Sequence, residues 1–358
     1  MPERIYLDHA ATTPVRPEAA RAVADGLTAW ANPSSPHAEG RAARRALEDA
    51  RAAIGAAYGW TGQVLLTSGA SESLAIALGR SVAERVLISA VEHDTVHRAA
   101  AGAAMVPVEA SGLLSLAALR RAVDQPGRAL VAVQWANSET GVRQPIAEIA
   151  GIVREAGHLL LVDAAQMPAG ADTDVIAHAD LVALSAHKRG GPAGAGALLV
   201  RDLGTLAPSG GQEFGYRPGT ENLPAALGYA AALAGPEPLE RWAAMRARLD
   251  DAVRHSDGQV VGDGSPRHPA IATYRMPGVA SAAQLIRFDL AGFAVSAGSA
   301  CASGSMKPSH VLAAMGLTEA ASREVVRVSF GRDTSEAELD AFIAAWRGIA
   351  RATRSFAA

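Results

Sequence analysis

Six short runs of continuous apolar residues, each ending in polar ones, constrain this chain more than any other feature. They are 63–69 (QVLLTSG), 85–93 (RVLISAVEH), 129–137 (ALVAVQWAN), 158–166 (HLLLVDAAQ), 181–188 (LVALSAHK) and 196–202 (GALLVRD). A strand with one wet face alternates apolar and polar residues. A run without alternation is buried on both faces, as in a mostly parallel sheet. The segments between them, such as 145–158 (PIAEIAGIVREAGH), repeat apolar residues at helical spacing. This order predicts an α/β fold with an open sheet flanked by helices.

The polar residues gather just after the apolar runs: Ser68, His93, Asn137, Asp163, Gln166, His187 and Lys188. Ligands of open α/β sheets bind beyond the carboxyl ends of the strands. One site built from several loops is therefore expected at that edge.

The pattern changes near Pro236. A proline-marked boundary precedes an amphipathic helix (235–254), and shorter strands follow at 271–278, 293–299 and 325–331. We read residues 15–235 as a large domain. Residues 1–14 and 236–358 form a smaller α+β domain. The balance of 33 basic against 36 acidic residues gives no support for nucleic-acid binding or a membrane-surface role. A single cysteine excludes an internal disulfide and a multi-cysteine metal centre, and a free thiol suits a reducing cytosol. The N-terminus lacks an apolar core of signal-peptide length, and no apolar run approaches the roughly 20 residues of a membrane span. A cytoplasmic enzyme without a metal is expected.

Lys188 follows a buried run and precedes a glycine-rich turn. Desolvation there lowers a lysine pKa and frees the amine for Schiff-base chemistry. Asp163 ends LLLVD one βαβ unit earlier, and pyridoxal 5′-phosphate (PLP) uses a lysine together with such an acid. Taken singly, Asp163 also suits a cap and Lys188 a snorkelling side chain. Residues 66–73 (LTSGASES) read as strand, glycine turn and helix. The N–H groups near Ala70 and Ser71 suit a phosphate, while Ser71 alone suits an N-cap. His93 suits either stacking on a cofactor ring or a core position. Arg327 alternates with apolar residues, which suits a carboxylate ligand or a solvated edge. Cys301 lies among Ser, Gly and Ala, which favours a reactive thiol on a mobile loop over a buried one.

These residues sit in motifs that resemble the cysteine desulfurases of the NifS/IscS type, PLP enzymes of fold type I in the class V aminotransferase family. The motifs run in order from YLDHAATTPV (6–15) through NPSSPHAEGRAARRALEDAR (32–51), TSGASES (67–73), VEHDTV (91–96) and NSETGVRQPI (137–146). VDAAQ (162–166), SAHKRGGPAGAG (185–196), RPGTEN (217–222), SAGSACASGSMKPSHVLAAMG (296–316) and VRVSFGRDTSEAELD (326–340) complete them. The resemblance spans nearly the whole chain. It departs at Ser71, where threonine is common, and at Ala193, where a lysine is frequent.

The resemblance implies a large domain with a mostly parallel seven-stranded sheet and a smaller α+β domain. It implies that Lys188 forms the Schiff base with PLP and moves the α-proton. Asp163 would pair with the ring nitrogen, His93 would stack on the ring and Gln166 would bond the ring hydroxyl. Asn137 would lie near both substrate and cofactor. Ala70, Ser71, Ser185 and His187 would bind the phosphate, with Thr220 reaching it from the neighbouring subunit of a homodimer. Arg327 would hold the carboxylate of L-cysteine, with Asn32 in the same region. Cys301 would take the sulfur as a persulfide, release alanine, and pass sulfur to an acceptor protein, as in iron–sulfur cluster assembly or tRNA thiolation. Selenocysteine lyase and simple transamination are rival activities on the same fold.

Overall fold

The computed structural model describes residues 4–297 and 308–357. Cys301 lies outside the described residues. In chain order the strands are β1 (Ile5–Tyr6), β2 (Gln63–Thr67), β3 (Arg85–Ser89), β4 (Ala104–Val106), β5 (Ala129–Gln134) and β6 (Leu159–Asp163). They continue with β7 (Leu181–Ser185), β8 (Gly196–Val200), β9 (Gln259–Val260), β10 (Ile271–Arg275), β11 (Phe293–Ala294) and β12 (Val325–Ser329).

Seven of them form one sheet in the order β2-β8-β7-β6-β5-β3-β4. Only β8 runs against its neighbours. A ten-residue turn (186–195) joins β7 to β8, and a parallel crossover needs a dozen residues or more. The other strands are parallel because helices return the chain between them.

The sheet has a core on each face, which explains the unbroken apolar runs. On β5, Val131 and Val133 enter one core while Leu130 and Ala132 enter the other. The same two-residue period sends Leu160 and Val162 one way on β6, and Leu159 and Leu161 the other. Each fully buried leucine or valine contributes about 1.5–3 kcal/mol. β4 escapes sequence detection because it is a three-residue edge strand with two exposed residues.

The remaining strands make two small sheets: antiparallel β12-β10-β9, and parallel β1-β11. β1 thus joins the start of the chain to its C-terminal third. Leu7 packs in one core with Trp242, Phe288, Phe342 and Trp346. The helix Leu239–Arg254 supplies that core through Trp242, Met245, Leu249 and Val253, spaced three or four apart. Among the described residues, no helix is long and apolar enough to cross a membrane.

One contact fixes the edge of the large sheet. A Cβ on Gly196 would sit 2.5 Å from both the Gly69 Cα and the Leu184 carbonyl oxygen. Only a glycine there lets the turn after β2 close against β8. Gly196→Ala is expected to cost about 2 kcal/mol, read as a lower urea midpoint at unchanged slope; an unchanged midpoint contradicts this packing.

Candidate active site

A cavity of about 440 Å³ opens at the carboxyl edge of the large sheet. Six of the seven polar strand-end residues line it: Ser68, His93, Asp163, Gln166, His187 and Lys188. Ala70, Ser71 and Ser185 line it as well.

Lys188 ends the short 3-10 turn Ala186–Lys188 directly after β7. Its Nζ donates to the carbonyl oxygens of Ala10 and Ala11, the latter at 3.0 Å. Burial pushes the amine down to about 7, with Arg327 and Arg189 adding to the shift while Asp163 and Asp8 oppose it. Near neutral pH a large share of this lysine is therefore an uncharged nucleophile.

Asp163 is the last residue of β6, and its Oδ1 accepts the Ala165 N–H at 3.0 Å. Burial raises its pKa, opposed by that hydrogen bond and by His93 and Lys188. His93 caps the helix Asp94–Ala99, its Nδ1 accepting the Thr95 N–H at 3.2 Å. Burial lowers the imidazole's pKa. His187 falls to about 4, through burial and then through Lys188 and Arg189. Its Nδ1 lies 3.1 Å from Thr12 Oγ1.

The helix Ala70–Arg80 points its N-terminus at the cavity. Its N-cap is Gly69, at φ 147° and ψ 176°, a conformation open to glycine. Ser71 is therefore not the cap. Its Oγ sits 3.4 Å from Thr95 Oγ1. Glu72 reaches back to the Ser68 N–H at 2.5 Å. The first-turn N–H groups have no partner inside the helix, and together with the dipole they favour an anion.

Four residues singled out in the sequence lie off the cavity lining. Asn137 is buried, but its side chain is consumed by backbone groups of its own loop and of the segment after β3. Oδ1 takes the N–H groups of Glu139 and Thr140 at 3.0 and 2.8 Å, and Nδ2 donates to Val91 O at 3.1 Å. Its neighbour Ser138 lines the cavity instead. Asn32 is exposed and accepts the Ser34 N–H at 2.9 Å. Thr220 is exposed and lines an adjoining cleft that shares Ser68 and Gly194 with the main cavity. Arg327 is buried, not a solvated edge charge. It binds Asp8 Oδ1 at 2.7 Å and Ser138 O at 3.0 Å.

Two participants had escaped the sequence reading. The turn 8–12 contacts Lys188 through Ala10 and Ala11, Gln166 through Ala10 O at 3.0 Å, His187 through Thr12, and Arg327 through Asp8. Its small residues carry backbone contacts, which leave no mark on side-chain patterns. Glu92 is fully buried beside His93, with Oε1 accepting the Gln134 N–H at 2.9 Å and Oε2 lacking a partner among the described residues. Burial and the charge of Asp163 push its carboxyl well above the ordinary range. An acid ending an apolar run was its only signal.

The class-V aminotransferase family model matches residues 5–342. The chain belongs to that family. A cysteine desulfurase of Cereibacter sphaeroides is 36% identical over 373 residues, covering 94% of this chain and 93% of that protein. The X-ray structure of a NifS-like protein from Rickettsia africae ESF-5 matches with a TM-score of 0.85 and 28% identity. It covers 97% of this chain and 99% of its own. A structure titled SspA in complex with cysteine matches at a TM-score of 0.79 and 28% identity, covering 92% and 100%. Within the family the chain groups with the cysteine desulfurases, and its fold is PLP fold type I.

The family's cofactor is PLP, and the residues present fit it. Lys188 offers an amine that is in large share uncharged near neutral pH, the Gln166 Oε1 is buried without a partner among the described residues, and Asp163 is a carboxyl whose pKa burial raises. In cofactor-free protein, acetic anhydride labelling of Lys188, followed by peptide mass, is expected to rise with pH through a midpoint of about 7. A midpoint near that of an ordinary lysine, about 10.4, contradicts the desolvated site.

Proposed function

We propose that this chain removes sulfur from L-cysteine, releases L-alanine, and holds the sulfur as a persulfide on Cys301 for an acceptor. The observation that carries this reading is the desolvated Lys188 amine, its pKa brought down to about 7, in a cavity shared with Asp163 and a helix N-terminus. When bound, PLP supplies a sink for the electron pair released at the substrate's α-carbon.

The chain's own groups do the rest. Lys188 holds the cofactor's aldehyde carbon and, as the free amine, moves the proton at the α-carbon. Asp163 keeps a proton on the ring nitrogen by offering it a counter-charge. His93 faces the ring and Gln166 bonds its hydroxyl. Ala70, Ser71, Ser185 and His187 hold the phosphate, and the partner subunit's Thr220 completes that shell in a homodimer. Arg327 holds the substrate carboxylate, with Asn137 and Asn32 nearby. The Cys301 thiolate attacks the substrate sulfur, so an S–S bond forms as the Cβ–S bond breaks. The carbon takes up a proton and alanine leaves.

Tethers on both sides support this role for Cys301. Ser296 exchanges two backbone hydrogen bonds with Arg327, at 3.3 and 2.7 Å. Cys301 follows five residues later, and five extended residues span at most about 18 Å. Ser296 itself is paired with the strand that carries Arg327. On the far side, Ser309 donates to Glu139 Oε2 at 2.6 Å and His310 Nε2 pairs with Glu92 O at 2.8 Å.

We extend the proposal to the rest of the molecule. Residues 15–235 form one domain, and residues 1–14 with 236–358 form the other, supported by the β1–β11 pairing and the separate core around Trp242. The enzyme works in the cytoplasm and passes sulfur to a protein of iron–sulfur cluster assembly or tRNA thiolation.

Intact mass after L-cysteine is added without reductant tests the activity. The wild type should gain one sulfur and release alanine. Cys301→Ala should gain none, and Lys188→Ala should lose alanine release by about 100-fold or more. Equal sulfur adducts on wild type and Cys301→Ala contradict the role of Cys301, and PLP-loaded wild type giving neither product contradicts the activity.

A further inference from the structure

Arg327 lies on β12, with its side chain only 6% exposed. A buried guanidinium needs a counter-charge, and in this structure Asp8 supplies it, with Nη2 donating to Oδ1 at 2.7 Å. Nη1 is taken by the Ser138 carbonyl at 3.0 Å. Nε is buried and has no hydrogen-bond partner among the described residues. Asp8 is held where it is by its backbone: it bridges Ser329 in parallel, and its carbonyl accepts the Ala11 N–H at 3.0 Å.

A carboxylate grips a guanidinium best through two parallel N–H groups. One edge of Arg327, formed by Nε and Nη2, still has its Nε–H to offer. Its Nη2 end is the one Asp8 holds. An incoming carboxylate therefore shares this nitrogen with a fixed negative charge, and like charges drawn to one cation repel.

We propose that Asp8 is a positioning residue that serves as the resident counter-ion of Arg327 and competes with the substrate's carboxylate for the cation. The proposal rests on the reading of Arg327 as the carboxylate ligand. Asp8 holds the guanidinium by its Nη2 end, and it sets a ceiling on how tightly any amino acid can bind. That ceiling suits an enzyme that must release one amino acid, alanine, after taking up another.

The test is the affinity of the PLP-loaded enzyme for L-alanine, read from the visible spectrum of the cofactor. Asp8→Asn keeps the shape and removes the charge, so L-alanine should bind about tenfold more tightly. Asp8→Glu keeps the charge and should stay within about threefold of wild type. Loss of a merely structural residue weakens binding, so the sign of the change discriminates. Asp8→Ser, tested in the same way, stands in if the asparagine variant does not fold. Equal or weaker binding in the uncharged variants overturns the proposal. Arg327→Gln separates the two layers. Weaker L-alanine binding there upholds Arg327 as the ligand whatever Asp8 does, and unchanged binding removes that reading and this proposal together.

Discussion

The desolvation of Lys188 is the constraint on which the site depends. Taking an ammonium out of water is unfavourable, and burial here brings the amine down to about 7. The strand before it makes this possible: every residue of β7 is buried, so the residue that follows emerges inside the protein. Two carbonyl oxygens receive the amine's hydrogens, from Ala10 and Ala11. These carbonyls keep a partly charged lysine compatible with a dry environment, and they belong to a turn nearly 180 residues away in sequence.

That turn connects the two ends of the chain. β1 pairs with β11, Asp8 bridges Ser329, and Ala10 N donates to Ser329 Oγ at 2.9 Å. The same few residues reach Lys188, Gln166, His187 and Arg327. Lys188, Gln166 and His187 at the edge of the large sheet and Arg327 on β12 are thus held in register by one short segment. A change in turn 8–12 is therefore felt at Lys188 and at Arg327 alike.

Much of this was legible in the sequence, for physical reasons. A sheet buried on both faces writes unbroken apolar runs, and six of the seven polar residues that end those runs meet in one cavity. Edge and very short strands write nothing comparable, so β4 and β9 stayed hidden. The side chain of Asn137 braces its loop, and its neighbours Ala136 and Ser138 line the cavity instead. The burial of Arg327 could not be read from its alternation with valines. It follows from β12 having protein on both faces and from Asp8 some 319 positions away. Thr220 and Asn32 are exposed and lie off the cavity of the single chain.

Lysine is rare here: apart from Lys188, the chain has only Lys307. Reduction of the PLP-loaded protein with borohydride, followed by peptide mapping, therefore locates the cofactor with one alternative to exclude. The expected result is a single reduced adduct on Lys188. An adduct on Lys307, or none on either lysine in protein that holds PLP, would contradict the site assembled at the edge of the sheet.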